Sequence, residues 1–226
     1  MIIMATAHNS TYTQLADATW TNNKLQYAEK HEYATCAKTD DWVFEPRLMG
    51  WERMQFIYDI LLNYEDAAWV WWTGTDSLVT NFNIKIEDKI AEACKDHDYD
   101  IIVSCDFNEI INNDSMLIRN SENSRDYFKY MMEAMPDYLD HRYSEQGYMI
   151  DNYEHFSGIM KIQPQKFMNS YEYKMYTVPP WNYKTALDVQ GNDGQWSSGD
   201  WLVHWPGTQL NERMELLKEY QDRIIY

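Results

Sequence analysis

The sequence is poor in cysteine and in basic residues. It has 226 residues with 3 cysteines, and 19 Lys or Arg against 36 Asp or Glu, which gives a formal net charge of −17. The cysteines (Cys36, Cys94 and Cys105) have no Cys-x-x-Cys spacing, which argues against a disulfide framework or a thiolate zinc site and favours a reducing compartment. Because no Lys/Arg cluster is present to neutralise phosphates or anionic lipids, neither nucleic-acid binding nor peripheral membrane attachment is expected.

Long apolar runs are also missing. No segment reaches the roughly 18 apolar residues of a membrane span, and the start, Met1 to Ala7, lacks the basic region of a signal peptide. The chain shows no internal repeat, low-complexity tract or linker. With 45% hydrophobic residues it is expected to form one domain around a packed core.

Short apolar runs alternate with segments of helical periodicity. Such runs predict strands, and apolar residues three and four positions apart predict helices. The predicted strands are Ile2–Ala7, Tyr33–Ala37, Ala67–Thr73, Asp100–Cys105, Met116–Ile118, Ser157–Gln163 and Trp201–Trp205, and the predicted helices are Tyr12–His31, Trp51–Tyr64, Ile86–Cys94, Ser121–Met135 and Leu210–Ile224. The alternation predicts an α/β fold with a mostly parallel sheet, whose ligands bind beyond the carboxyl ends of the strands.

Two strand ends carry residues suited to chemistry. The apolar run from Trp69 leads directly into a small turn with a single acid, Asp76, where a carboxylate is well placed to hold a hard cation. The alternative is an Asp that only stabilises the turn. The strand from Trp201 delivers His204 and is followed by Pro206-Gly207, where a glycine lets backbone N–H groups approach an anion. A lone histidine is also commonly a structural residue.

Several blocks occur in an order that resembles glycosyltransferase family 34, the galactosyl-, mannosyl- and xylosyltransferase family of the GT-A fold. The family pattern includes a Trp-rich strand leading to an Asp-x-Asp motif and a closing Gly-Asp-x-x-x-His-x-x-Gly block. The blocks that match are Tyr27–Tyr33, Trp51–Arg53, Trp69–Asp76, Ile111–Ser121, Glu145-Gln146 and Gly199–Gly207.

The chain departs from this pattern at a few positions. Gly74 stands where the family has the first Asp of Asp-x-Asp, and Asp114 stands where it has a glycine. Glu145 replaces an Asp, and Asn123 replaces a common Trp. The lysine that often follows the closing block is absent, and Arg213 is the nearest candidate to contact a phosphate in its place.

The resemblance implies a GT-A (Rossmann-like) nucleotide-diphospho-sugar transferase fold over residues 1–226. Residues 1–110 would mainly bind the nucleotide sugar, and residues 111–226 would bind the acceptor and supply the closing metal ligand. It further implies transfer of a sugar from UDP-galactose, UDP-xylose or GDP-mannose to a glycan, with retention of configuration. The expected location is the cytoplasm, or the Golgi lumen if the chain is a catalytic domain separated from its anchor.

The resemblance also implies roles for single residues. Asp76 and His204 would hold Mn²⁺ or Mg²⁺, and Glu145 with Gln146 would act near the anomeric carbon. Retention can use a covalent carboxylate intermediate or same-face attack, and both remain open. The residues expected to bind the nucleotide sugar are Ala5, Thr6, Ala7, Thr75, Asp76, Asn112, Asn113 and Gly207.

Three alternatives belong to other classes. A retaining glycosidase needs two carboxylates about 5 Å apart and no metal, and the acids Asp106, Asp114 and Glu145 are available. A catalytically inactive relative would bind a nucleotide or sugar without turnover. The third alternative is an interaction protein with an aromatic surface, because 15% of the residues are aromatic. The same composition is compatible with a homodimer. In the transferase interpretation Trp181, Trp196 and Trp205 are candidates for an acceptor platform.

Overall fold

A computed structural model of the chain describes residues 1–39, 48–175, 177–178, 181–182 and 194–226. The strands are β1 (Ile2–Ala7), β2 (Ala34–Lys38), β3 (Trp69–Thr73), β4 (Ser77–Val79), β5 (Ile101–Cys105), β6 (Ile111–Arg119), β7 (Met160–Gln163), β8 (Ser170–Tyr171), β9 (Thr177–Val178), β10 (Trp181–Asn182) and β11 (Leu202–His204). The helices are α1 (Thr13–Ala16), which continues through a π-helical segment (Asp17–Lys24) into α2 (Leu25–His31), then α3 (Met49–Asn63), α4 (Ile86–Ala93), α5 (Glu122–Glu133), α6 (Met135–Tyr138), α7 (Ser144–Asp151), α8 (Tyr153–Phe156) and α9 (Leu210–Gln221).

Six strands form the central sheet in the order β2-β1-β3-β6-β5-β7. All of them run parallel except β6, which is antiparallel to both β3 and β5. The prediction of an α/β fold with a mostly parallel sheet is therefore confirmed. The carboxyl ends of β1, β3 and β5 and the start of β6 meet at one edge of the sheet, which is where such folds bind ligands.

The central strand β3 is apolar along its whole length because both faces of the sheet are covered. Val70 and Trp72 pack into the core beneath α3 and α5, whereas Trp71 packs into the opposite core with Tyr27 and Trp201. A strand buried on both faces has no polar alternation, so a continuous apolar run is the expected pattern.

A second sheet, β4-β11-β8, brings the end of the chain to the functional edge. β4 follows β3 after the turn 74–76, and β11 pairs antiparallel with it so that His204 lies opposite Ser77. The backbone N–H of Trp205 donates to the carbonyl of Asp76 at 2.9 Å. This pairing places two residues that are distant in sequence, Asp76 and His204, side by side.

Most predicted elements lie within a few residues of their observed bounds. The short elements β4, β8, β9, β10, α6 and α8 were not predicted, and two longer elements differ. The short strand predicted at Met116–Ile118 is the nine-residue β6. Helix α7 was not predicted, because it contains Gly147 and is stabilised by burial of Tyr148 and Met149 rather than by an apolar stripe. Helix α5 is capped at its start, where the hydroxyl of Ser121 accepts the backbone N–H of Ser124. In the described ranges, none of the helices has the length and apolar character needed to cross a bilayer.

Candidate functional site

Two cavities open at the carboxyl edge of the central sheet and share Asp114 as a common wall. The larger has a volume of about 500 Å³ and the smaller about 300 Å³. The larger cavity is lined by Ala7, His8, Asn9, Tyr12, Met49, Gly50, Arg53, Trp72, Gly74, Thr75, Asp76, Asp114, Leu139, His141, Ser144, Glu145 and Arg213. The smaller is lined by Asp106, Phe107, Asn112, Asp114, Arg142, Tyr143, Gln146, Tyr171, Pro206 and Gly207.

Asp76, Asp114 and His204 converge at the boundary of the larger cavity. One ligand atom from each lies within 4.8 Å of the others. The Nε2 atom of His204 is 3.3 Å from Oδ1 of Asp76 and 3.7 Å from Oδ2 of Asp114. Two carboxylates and one imidazole form a donor set that suits a divalent cation.

The hydrogen bonds around His204 determine which ring nitrogen faces this cluster. Nδ1 of His204 is 2.6 Å from Oδ1 of Asn169. The amide nitrogen of Asn169 donates to the carbonyl of Cys105 at 3.0 Å and to the hydroxyl of Tyr171 at 3.2 Å, so its oxygen is the atom that faces the ring. In the neutral ring the proton is therefore on Nδ1 and the lone pair is on Nε2. Nε2 is buried and has no hydrogen-bond partner among the described residues, as expected of a metal-binding nitrogen.

A buried lysine fixes the turn that carries Asp76. The ammonium of Lys24 donates to the carbonyls of Gly74 and Ser77 at 2.6 and 2.8 Å and to the Ser77 hydroxyl at 2.9 Å. Burial lowers the pKa of Lys24 to about 7, although the charges of Asp76 and Asp114 oppose the decrease. No motif indicated this residue. The available signal was its position on the same buried helix face as Trp20, where a lysine is unusual.

Lys24 leads to a prediction about stability and pH. In the unfolded chain its pKa is about 10.4, so between pH 7 and 10 the unfolded state binds more protons than the folded state. The free energy of unfolding of the wild type should therefore rise with pH relative to a Lys24→Met variant, by up to about 1.4 kcal/mol per pH unit. Urea unfolding at pH 7.5, 8.5 and 9.5 measures this difference.

The exposed Lys30→Met variant is the control and should show no such slope. A difference that is flat or falls with pH contradicts the prediction.

Arg53 bridges two acids across the larger cavity. Its Nη1 donates to Oδ1 of Asp114, and its Nη2 donates to Oε1 of Glu145 at 2.8 Å. Burial would lower the pKa of Arg53, but the two carboxylates outweigh it and raise the pKa above its usual value. The amide of Asn113 also donates to Oε1 of Glu145 at 3.1 Å. A Cβ at Gly50 would lie 1.9 Å from Oε2 of Glu145, so only glycine leaves space for this carboxylate.

Arg213, from helix α9, completes the charged wall of the larger cavity. Its Nη2 is 3.0 Å from Oδ2 of Asp76, and its Nε donates to the carbonyl of Trp205 at 3.1 Å. Burial would raise the pKa of Asp76, but His204 and Arg213 hold it well below its usual range. Asp76 is therefore an anion at neutral pH, as a metal ligand must be.

The structure divides the predicted site residues between the two cavities. Helix α7 contributes to both cavities, since Glu145 lines the larger cavity and its neighbour Gln146 lines the smaller one. Ala7, Thr75 and Asp76 also line the larger cavity, and Asn112 and Gly207 line the smaller. Gly207 has a positive φ of 71°, so the turn after His204 uses the freedom of glycine. The larger cavity takes residues from both 1–110 and 111–226, and the division of roles between these two parts stays a prediction.

Some predicted residues lie elsewhere. Ala5 and Thr6 were expected to form a loop around the base and ribose, but both are fully buried within β1, because β2 and β3 flank this strand. Neither lines a cavity described above. Trp196 and Trp205 were expected as an acceptor platform, but they are 8% and 1% exposed and pack beneath α9. The side chain of Trp181 lies outside the described residues.

Solved glycosyltransferases share this architecture. The glycosyltransferase involved in glycosylation of the major capsid of PBCV-1 superposes with a TM-score of 0.74 at 15% identity, over 96% of this chain and 98% of that one. Galactosyltransferase LgtC, solved with donor and acceptor sugar analogues, superposes with a TM-score of 0.54 at 14% identity, over 99% and 96% of the two chains. The chain therefore has the GT-A fold.

Sequence comparison finds similarity to one family. Residues 1–95 match the galactosyl transferase GMA12/MNN10 family. An alpha-1,2-galactosyltransferase of Schizosaccharomyces pombe is 29% identical over 218 residues, which is 82% of this chain and 54% of that protein. The chain spans about half the length of this curated relative, at 54%.

Proposed function

We propose that the chain is a metal-dependent, retaining glycosyltransferase that binds a nucleotide diphosphate sugar in the larger cavity. The observation that carries this proposal is the convergence of Asp76, Asp114 and the buried Nε2 of His204 at the cavity wall. The relative from S. pombe is named an alpha-1,2-galactosyltransferase, which favours UDP-galactose over UDP-xylose or GDP-mannose as the donor.

The residues of this site fit a divalent cation. Asp76 and His204 would hold it, and the mixed oxygen and nitrogen donor set favours Mn²⁺ over Mg²⁺, which prefers oxygen ligands. When bound, the cation supplies positive charge that neutralises the diphosphate leaving group. Arg213 lines the same wall, and its planar guanidinium suits phosphate oxygens.

Glu145 lines the larger cavity and is the carboxylate proposed to act near the anomeric carbon of the donor sugar. Its Oε1 already accepts hydrogen bonds from Arg53 and Asn113, which lowers its strength as a nucleophile. This arrangement favours same-face attack over a covalent intermediate. In that reaction the bond from the anomeric carbon to the diphosphate breaks, the bond to the acceptor oxygen forms, and the acceptor proton passes to a diphosphate oxygen. Glu145 would stabilise the positive charge that develops at the anomeric carbon.

The smaller cavity is the proposed acceptor site. Its wall includes the rings of Phe107, Tyr143 and Tyr171, together with the amides of Asn112 and Gln146. Aromatic rings pack against the apolar faces of sugars, and amides both donate to and accept from sugar hydroxyls. Because Asp114 belongs to both cavities, a sugar bound here would lie next to the donor site.

The same geometry bears on the glycosidase alternative. A retaining glycosidase needs one carboxylate free to attack and a second that is protonated to act as an acid. Asp114 and Glu145 are both ion-paired with Arg53, so neither carboxylate is free to attack. The arrangement therefore supports transfer from an activated donor over hydrolysis by two carboxylates.

Thermal unfolding with UDP or GDP, each with and without Mn²⁺, tests donor binding. A ligand at 100 times its dissociation constant stabilises by about 2.7 kcal/mol, or roughly 5–10 °C for a chain of this size. We expect this shift with UDP and only when Mn²⁺ is present. A shift with GDP alone would instead indicate a GDP-mannose donor. No shift with either nucleotide would contradict the proposal and favour an interaction protein.

Turnover separates an active transferase from an inactive relative. The protein would be incubated with Mn²⁺ and UDP-galactose, UDP-xylose or GDP-mannose in the presence of a pool of mono- and disaccharides. We expect nucleotide release from UDP-galactose, and a product whose mass exceeds that of one acceptor by a single hexose. Binding of UDP and Mn²⁺ without any release would identify an inactive relative.

A further inference from the structure

We infer that Asp114 is a metal ligand, and that it supplies from β6 the second carboxylate that the turn Gly74-Thr75-Asp76 lacks. The inference rests on the metal-dependent function proposed above. On this inference the second carboxylate ligand comes from the central sheet and not from the turn. The cation would lie between the two cavities, because Asp114 lines both.

Gly74 and Asp114 are cross-strand neighbours. Beyond the last β3–β6 pair, Thr73 with Ser115, the backbone N–H of Gly74 donates to the carbonyl of Asp114 at 2.8 Å. A Cβ at Gly74 would lie 3.6 Å from Oδ1 and 3.8 Å from Cβ of Asp114, and 2.8 Å from Oδ1 of Asp76, whose carboxylate would have to shift to admit it. Side chains at directly opposed positions share one space, so a carboxylate attached at either position reaches the same region beside Asp76.

The two oxygens of Asp114 have different environments. Oδ1 accepts from Arg53, and Oδ2 faces Nε2 of His204 at 3.7 Å. Neighbouring ligands about 2.1 Å from an octahedral ion are about 3.0 Å apart. The separations from His204 Nε2 to Asp76 and Asp114, 3.3 and 3.7 Å, are only slightly longer, so a small closure brings all three atoms onto one ion. Arg53 thus orients the carboxylate and leaves Oδ2 for the metal.

A purely structural role for Asp114 makes a different prediction. If its carboxylate serves only to neutralise Arg53, the amide introduced by Asp114→Asn would still accept the Arg53 hydrogen bond through its oxygen, and Glu145 would remain as the counter-ion. Metal affinity would then be unchanged. If Asp114 is a ligand, the same substitution removes an anionic donor from the cation.

The experiment is a titration of the full chain with Mn²⁺ alone, in which electron paramagnetic resonance reports free Mn²⁺. The variants are Asp114→Asn, Asp114→Gly and the exchange Gly74→Asp/Asp114→Gly, with Asp126→Asn as the control, since Asp126 is an exposed acid on α5 that lines neither cavity of the site. We expect Asp114→Asn and Asp114→Gly to raise the dissociation constant at least about tenfold, a range typical of damaged metal sites. The exchange should restore it to within about threefold of the wild type, and the control should stay within about twofold, which is less than about 0.5 kcal/mol.

The outcomes distinguish this inference from the function it rests on. If the wild type binds Mn²⁺ and Asp114→Asn changes the dissociation constant by less than about twofold, the inference is wrong but metal dependence is not. Absence of Mn²⁺ binding by the wild type at millimolar concentration overturns both. Metal-free melting temperatures check that each variant folds, and if the exchange variant does not, the isosteric Asp114→Asn variant decides.

Discussion

Replacing Asp76 by asparagine is expected to reduce sugar transfer at least about 1,000-fold, which corresponds to roughly 4 kcal/mol of transition-state stabilisation. Asp76 contacts both of the other groups expected to act on the diphosphate. Its Oδ1 faces Nε2 of His204 at 3.3 Å and its Oδ2 faces Nη2 of Arg213 at 3.0 Å. An amide keeps the shape of the side chain but removes the charge that holds a cation, so the leaving group would lose its main counter-charge.

Nucleotide binding distinguishes this loss from simple misfolding. In Asp76→Asn, Arg213 no longer has a carboxylate partner and is free to bind phosphate. We therefore expect UDP to bind the variant in EDTA at least as tightly as it binds the wild type in EDTA. Mn²⁺ should strengthen UDP binding only in the wild type. Calorimetric titration with UDP, with Mn²⁺ or with EDTA, measures both effects.

The matched control for Asp76 is Asp126→Asn, because Asp126 is an exposed acid on α5 that lines neither cavity of the site. It should keep wild-type turnover and wild-type dependence on Mn²⁺. If Asp76→Asn retained more than about a tenth of wild-type activity, the Asp76 carboxylate would contribute less than about 1.4 kcal/mol to stabilising the transition state. Asp76 would then not be a principal metal ligand.

The parallel strands were predictable because burial on both faces leaves a continuous apolar run. β3 and β5 show this directly, since every residue from Val70 to Thr73 and from Ile101 to Ser104 is buried. β6 was underestimated for the opposite reason. Its first residues include Asn112, Asn113 and Asp114, which are polar because they face the site, and a polar segment is typical of a loop in sequence. The polar residues at the start of β6 therefore made this part of the strand resemble a loop in the sequence.

Asp76 and His204 were identifiable because each follows an apolar run, but their contact was not. It depends on the antiparallel pairing of β4 with β11, and β4 has only the three residues Ser77–Val79. Asn169, which fixes the orientation of His204, and Arg53, which holds two acids, depend on long-range contacts in the same way. Asn169 has no local pattern that marks its role, and the block Trp51–Arg53 does not indicate that Arg53 pairs with two acids.

The two departures from the family motif were visible in the sequence as separate facts. Gly74 removes a carboxylate from the turn, and Asp114 adds one 40 positions later. Only the antiparallel pairing of β3 with β6 places them opposite each other. In the fold, the position that lacks a carboxylate, Gly74, and the position that gains one, Asp114, therefore share one location.

A second large effect is expected on stability. Replacing Arg53 by methionine should lower the free energy of unfolding by about 3–5 kcal/mol, the usual cost of removing one partner of a buried ion pair. The side chains of Asp114 and Glu145 are 21% and 7% exposed, so both would lose their counter-ion away from bulk water. For a chain of this size the melting temperature should fall by roughly 8–15 °C.

A double-mutant cycle tests whether the cost arises from the stranded carboxylate. Arg53→Met/Glu145→Gln should be more stable than Arg53→Met alone, with a coupling energy of at least about 1 kcal/mol. The control is Arg223→Met, which removes an arginine from an exposed pair with Glu219 and should cost less than about 1 kcal/mol. If Arg53→Met costs no more than this control, Arg53 does not stabilise the fold. Its role would then be confined to orienting Asp114 and Glu145 toward the donor, which the Mn²⁺ titration and turnover of the same variant would reveal.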